Sequence, residues 1–142
     1  QFKACCGGNV ILRVILDSNF LFIPFQFQVD VFEELKKLLN QQFDPVLLQP
    51  TYQELLRMAE HGPPKLRQQA SLALKLAEKC SIVSVETHCG ENPDDLILRV
   101  SKEWGCPVAT NDRELRKRLR REGVPTIFLR QRAYLAMEGL IR

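Results

Sequence analysis

Short apolar runs alternate along this chain with longer stretches in which apolar residues return every three or four positions. The first pattern belongs to buried strands and the second to helices with one covered face. Residues 10–16, VILRVIL, are apolar and largely β-branched, so they read as a buried strand. Further strands are predicted at 45–49 (PVLLQ), 81–86 (SIVSVE), 107–110 (PVAT) and 124–129 (VPTIFL). Between them, Asp30-Val-Phe-Glu33 reads as a capping box opening a helix to about Gln42. Pro50-Thr51 opens another helix to about Glu60, and Pro63-Pro64 a third, in which Leu66, Ala70, Ala73, Leu74 and Ala77 keep helical spacing. Asn92-Pro93 supplies a cap and a first-turn proline to a helix that aligns Leu96, Ile97, Val100 and Trp104 and stops at Gly105. Asn111 caps a helix of nearly pure charge, DRELRKRLRRE, ended by Gly123, and the tail from Gln131 reads as partly helical.

Strands that alternate with helices predict an α/β fold: one domain with about five parallel strands and helices on both faces. The Gly7-Gly8 pair separates a tail, residues 1–9, from a domain over residues 10–142. A length of 142 residues, 45% hydrophobic and 26% charged, suits a single ordinary globular domain and excludes disordered and collagen-like chains. Apolar runs fall far short of the roughly 18 residues a spanning helix needs, so no membrane association is expected. The N-terminal apolar run ends in Asp17 without a cleavage pattern, so no targeting segment is predicted and a cytoplasmic location is expected. The five cysteines lack C-x-x-C spacing, which argues for free thiols rather than a zinc site.

Charge is unevenly distributed. Residues 99–132 hold ten Lys/Arg against four Asp/Glu, a balance of +6 in a chain whose net charge is +3. Such an excess suits a polyanionic partner, although a solvated helix face explains it as well.

Ligands of open parallel sheets bind beyond the carboxyl ends of the strands. Each of the first four predicted strands is followed by a carboxylate near the start of the next helix: Asp17, Glu54, Asp95 and Asp112. Individually most have an ordinary explanation. Thr51-x-x-Glu54 and Asn111-x-x-Glu114 are capping boxes, Asp112 lies beside the second, and Asp94 and Asp95 suit the dipole of their helix. Asp17, an acid closing an apolar strand, is less easily explained by capping. Together at one sheet edge the four would repel one another unless a hard cation lay among them, and oxygen-only ligands select Mg²⁺ or Mn²⁺. Such ions, alone or as a pair about 3.5–4 Å apart, promote phosphodiester hydrolysis. Rival chemistries lack their signatures: there is no G-x-G-x-x-G after a strand, no P-loop and no G-x-S-x-G elbow, and His61 and His88 read as surface residues.

The ordered acids, with Asp17-Ser18-Asn19 after the first strand and Thr110-Asn111-Asp112 after the fourth, resemble the PIN-domain nucleases over residues 10 to about 130. The stretch from Pro93 to Leu135 is more narrowly similar to archaeal PIN proteins close to the small-subunit-processome nuclease. The resemblance implies Mg²⁺- or Mn²⁺-dependent cleavage of RNA by metal-activated water, leaving a 5′-phosphate and a 3′-hydroxyl. Asp17 and Asp95 would be direct ligands, Glu54 and Asp112 would complete the site partly through water, and Asp94 would be an extra ligand. Asn19, Thr110 and Asn111 would support that shell. Arg113, Arg116, Lys117, Arg120 and Arg121 are the candidate phosphate contacts. The partner would be RNA, together with a small antitoxin if the protein is a VapC-like toxin, or a pre-ribosomal particle if it processes ribosomal RNA. No zinc-binding module of the kind some processing relatives carry is present. The Phe20–Phe27 stretch is a candidate homodimer surface, and the alternative to a nuclease is an inactive PIN module that binds RNA or protein.

Overall fold

The structure is a computed structural model and describes residues 11–139. The tail expected over residues 1–9 lies outside it, as do Cys5 and Cys6. Six strands, β1 (Leu12–Leu16), β2 (Phe43–Leu48), β3 (Ser81–Val83), β4 (Val108–Ala109), β5 (Thr126–Arg130) and β6 (Tyr134–Glu138), form one sheet in the order β3-β2-β1-β4-β5-β6. The first five are parallel, and β6 runs antiparallel to β5.

Helices α1 (Ile23–Phe27), α2 (Val31–Leu39), α3 (Gln49–His61) and α4 (Pro64–Ala77) join a core on one face that contains Val14, Leu16, Leu47, Ala109 and Ile127. Helices α5 (Pro93–Trp104) and α6 (Arg113–Arg121) cover the other face, over Ile15, Val46, Leu48 and Val108. Successive side chains of a strand point to opposite faces, so a continuous apolar run such as VIL in β1 is needed to fill both cores.

Three expectations change. The tail after Gln131 is a strand, not a helix. Gln131 and Arg132 both take left-handed backbone (φ 54° and 58°), and Ala133 N–H donates to Arg130 C=O at 3.1 Å, which reverses the chain into β6. Neither residue type announces such a turn, since Gly, Asn and Asp dominate it. The sheet therefore has six strands, the last antiparallel.

Two helix starts also move. The α3 helix begins at Gln49, which leaves Thr51 buried in its first turn rather than acting as a cap, and α6 is capped by Asp112 instead of Asn111. Finally, Phe20, Phe22 and Ile23 are buried in the chain's own core and Phe25 and Phe27 pack half-buried against it, so most of the apolar surface of the stretch taken for a dimer surface is already covered within the chain. An apolar run explains a core as readily as an interface until its neighbours are known. No described helix is long and apolar enough to cross a membrane.

Candidate active site

Strand order reverses beside β1, whose neighbours β2 and β4 lead outward in opposite directions. That is the switch point at which open α/β sheets leave a crevice. Pairing of Leu16 with Ala109 puts the next residues, Asp17 and Thr110, side by side at its mouth. Asp17 N–H donates to Ala109 C=O at 3.0 Å, continuing the ladder by one step and fixing where the carboxylate projects.

The Asp17 side chain is 4% exposed and receives three hydrogen bonds. Ser18 N–H donates at 2.8 Å, Thr110 Oγ1 at 2.8 Å and Asn19 Nδ2 at 3.1 Å. Thr110, fully buried, also accepts from Asp112 N–H at 3.1 Å, so one hydroxyl ties the acid of β1 to the acid after β4. Asn19 Oδ1 accepts from Asn111 N–H at 3.0 Å, and Asn111 Oδ1 accepts a long bond of 3.4 Å from Leu129 N–H. Asn19, Thr110 and Asn111 thus brace the site.

Burial pushes the Asp17 carboxyl up to about 6, opposed first by the Thr110 hydrogen bond and reinforced by the charges of Asp94 and Glu54. Asp94 is also raised, by burial and then by Asp112, while Arg118 lowers it. These mutual effects bring Asp17, Asp94, Asp112 and Glu54 into one neighbourhood, with Ser18 Oγ donating to Glu54 Oε1 at 3.4 Å. No cation is among the groups acting on Asp17.

The paired acids opening α5 meet different neighbours. Asp95 completes the cap, accepting from Asn92 N–H at 3.5 Å while its own N–H donates to Asn92 Oδ1 at 2.8 Å. Its Oδ1 is held by Arg118 of α6 at 2.8 Å. Asp94 accepts no hydrogen bond among the described residues and is the one of the two that acts on Asp17. Consecutive helical residues point about 100° apart, so one of the two faces the sheet edge and the other the neighbouring helix. Arg118, the cation that settles which, was not singled out in the sequence. A helix so rich in Arg gives no signal as to which of its members turns inward.

Among the described residues no three Asp, Glu, His or Cys side chains already converge as a metal cage. The fit to Mg²⁺ or Mn²⁺ lies instead in the chemistry of the donors. They are oxygens only, one is a buried carboxylate without a counter-ion among the described residues, and Asp112 uses only Oδ1 in its cap, on Glu114 N–H and Leu115 N–H. His61 and His88 are exposed, and among the described cysteines Cys80, Cys89 and Cys106 are free thiols.

This mostly parallel sheet with braced acids at its switch point is matched by a known family. A family model described as a PIN like domain matches residues 14–132, and the chain belongs to the PIN-domain nuclease family. It is 29% identical over 130 residues to ribonuclease VapC4 of Methanocaldococcus jannaschii, covering 91% of this chain and 98% of that protein. The rRNA-processing protein FCF1 of Saccharomyces cerevisiae is 31% identical over 126 residues, covering 87% of this chain and 62% of FCF1. Among solved structures, that of the PIN domain endonuclease Utp24 matches with a TM-score of 0.73 at 29% identity, covering 91% of this chain and 92% of that one. The VapBC2 structure from Rickettsia felis, at a TM-score of 0.55 and 13% identity, shares the fold alone.

Proposed function

We propose that the protein is a divalent-metal-dependent endoribonuclease whose acids Asp17, Asp94, Asp112 and Glu54 hold Mg²⁺ or Mn²⁺. The observation that carries this reading is Asp17: a buried carboxylate that is hydrogen-bonded on both oxygens and beset by other acids, yet has no cation beside it among the described residues. A fold keeps such a group at a cost in stability, and a bound cation offsets it. The names of VapC4, FCF1 and Utp24 support ribonuclease chemistry over other uses of the same site.

When bound, a divalent ion supplies a nucleophilic water at neutral pH and shields the phosphate charge. The protein's own contribution is placement. Asp17 offers a fixed acceptor, Thr110 and Asn19 hold its orientation, Asp94 approaches from the first turn of α5 and Asp112 from the cap of α6. Asp95 supports the site through Arg118 rather than as a ligand, which departs from the role the resemblance implied for it. The products are a 5′-phosphate and a 3′-hydroxyl.

The test is cleavage of an end-labelled RNA with Mn²⁺, with EDTA, and with the Asp17→Asn variant. Cutting that needs Mn²⁺ and vanishes in the variant is expected. Equal cutting by both proteins in EDTA would overturn the metal site, and binding without cutting under any metal would favour a non-catalytic module. Purification with a small antitoxin partner would assign a toxin role, and cofractionation with ribosomal precursors a processing role.

A further inference from the structure

Helix α6, RELRKRLRR, carries six cations, and the structure divides them into two equal sets. One set is turned back onto the protein. Arg116 lies over Phe128, 3.7 Å from the ring centroid, and 3.5 Å from Glu138, whose other oxygen meets Arg120 at 3.1 Å. Arg118 holds Asp95. Glu122, at the end of the helix, is held by Lys102 from α5 at 2.7 Å.

The other set is Arg113, Lys117 and Arg121. All three are exposed and make no side-chain hydrogen bond or ion pair among the described residues. They stand four positions apart, so they form a single row with rungs about 5–6 Å apart. At 100° per residue this row lies opposite the buried Leu115 and Leu119. Glu114, the one acid within the helix, pairs with none of them. The row begins at the residue that follows Asp112, at the mouth of the acidic crevice.

We propose that Arg113, Lys117 and Arg121 form a track that carries the phosphate backbone of an RNA strand away from the site, an inference that rests on the ribonuclease reading for its ligand. A merely solvated face would be expected to share the available carboxylates. Here Asp95, Glu122 and Glu138 all form their ion pairs with other cations, and the outward row forms none among the described residues, although the charge of Arg121 also acts on the neighbouring Glu122. Evenly spaced charges of one sign, in line and starting at the acids, match the regular repeat of a polynucleotide better than the irregular carboxylates of an acidic protein. Of the five candidates named from sequence, Arg116 and Arg120 are outside this row because both are turned toward Glu138.

Binding of a fluorescent single-stranded RNA to the full chain, with Asp17→Asn present to prevent cutting, is measured across a range of salt concentrations. The triple change Arg113→Gln, Lys117→Gln and Arg121→Gln is compared with Lys65→Gln, Arg67→Gln and Lys75→Gln on α4, which removes the same charge elsewhere. Loss of three phosphate contacts should reduce the slope of log affinity against log salt by about 2, while the α4 control keeps the parental slope. Equal slopes for all three proteins would overturn the track, as would an equal drop in the control, which would reduce it to net charge. The α6 triple losing affinity for an acidic polypeptide but not for RNA would overturn it too. The nuclease reading fails separately: RNA held through this row by a protein that cuts under no metal would leave the track standing without catalysis.

Discussion

Two carboxylates of this molecule are shifted in opposite directions. Glu91 lies on the exposed loop before α5, where Arg99 grips both its oxygens, at 2.9 Å and 3.1 Å, and His88 N–H donates to it at 2.9 Å. Those contacts lower its carboxyl to about 2. Arg99 also donates to Glu86 C=O at 2.6 Å, so the pair pins the loop. Asp17 lies at the sheet's switch point with hydrogen bonds but no cation among the described residues, and burial raises it to about 6. An acid used for architecture is given its counter-ion within the chain, whereas an acid left without one is held for something that comes from outside. Asp95 and Asp94 repeat the contrast in part: the first forms an ion pair with Arg118, whereas the second forms none among the described residues and acts on Asp17, although the charge of Arg118 reaches it too.

The sharpest way to break this comparison is by activity. Asp17→Asn and Asp94→Asn should each lower Mn²⁺-dependent RNA cleavage beyond the 10–100-fold that loss of an outer partner typically costs (about that range). Asp95→Asn should retain much more, since its carboxylate serves a cap and an ion pair. Initial rates on one labelled RNA decide it, and a ranking with Asp95 as severe as Asp94 would erase the distinction.

Next in size is Thr110→Val. It removes the donor to Asp17 and the acceptor for Asp112 N–H, leaves both in a buried setting, and should cost about 1–3 kcal/mol in denaturant unfolding. Cleavage should fall about 10–100-fold, and Thr110→Ser should recover most of it.

The opposed shifts predict opposed responses to pH, measured in EDTA. Asp17 is raised in the fold, so its contribution is complete below about pH 4 and is lost as pH climbs to about 6. The loss is roughly 3 kcal/mol for a shift of that size. Asp17→Asn should flatten the decline, and Mn²⁺ should reverse it in the parent protein but not in the variant. Glu91 is lowered, so its contribution is present above about pH 4.5 and disappears as pH falls toward 2. Glu91→Gln should remove that acid-side component alone. Melting curves from pH 3 to 8 separate the two.

The smallest effect is expected at the half-exposed Arg118–Asp95 pair, where Arg118→Ala should cost no more than about 1 kcal/mol of stability. Its consequence should appear instead in weaker Mn²⁺ binding, read by calorimetry. Arg118→Lys keeps the charge and should restore part of that affinity.

What the sequence determined by itself is the local part of this molecule. Periodicity placed the five parallel strands and the main helices, because side-chain spacing reports local geometry directly. Caps at Asp30 and Asn92 and the stop at Gly105 were legible for the same reason: each is satisfied within a few residues. An acid after each of four strands was also plain, as was the family resemblance those acids carry.

Tertiary structure alone decided which groups meet. The reversal into β6 depends on pairing with β5, which holds Gln131 and Arg132 in a backbone their side chains do not favour. The interior position of Phe20 and Phe22 depends on which helices pack over them. Whether Asp94 or Asp95 faces the crevice, and whether a cation of α6 turns inward or outward, rests on contacts between residues far apart in the chain. Those contacts join Asp95 to Arg118, Arg116 and Arg120 to Glu138, and Asp17 to Thr110. Spacing along a chain specifies the face a residue occupies, but the charge it keeps depends on what the fold brings against that face.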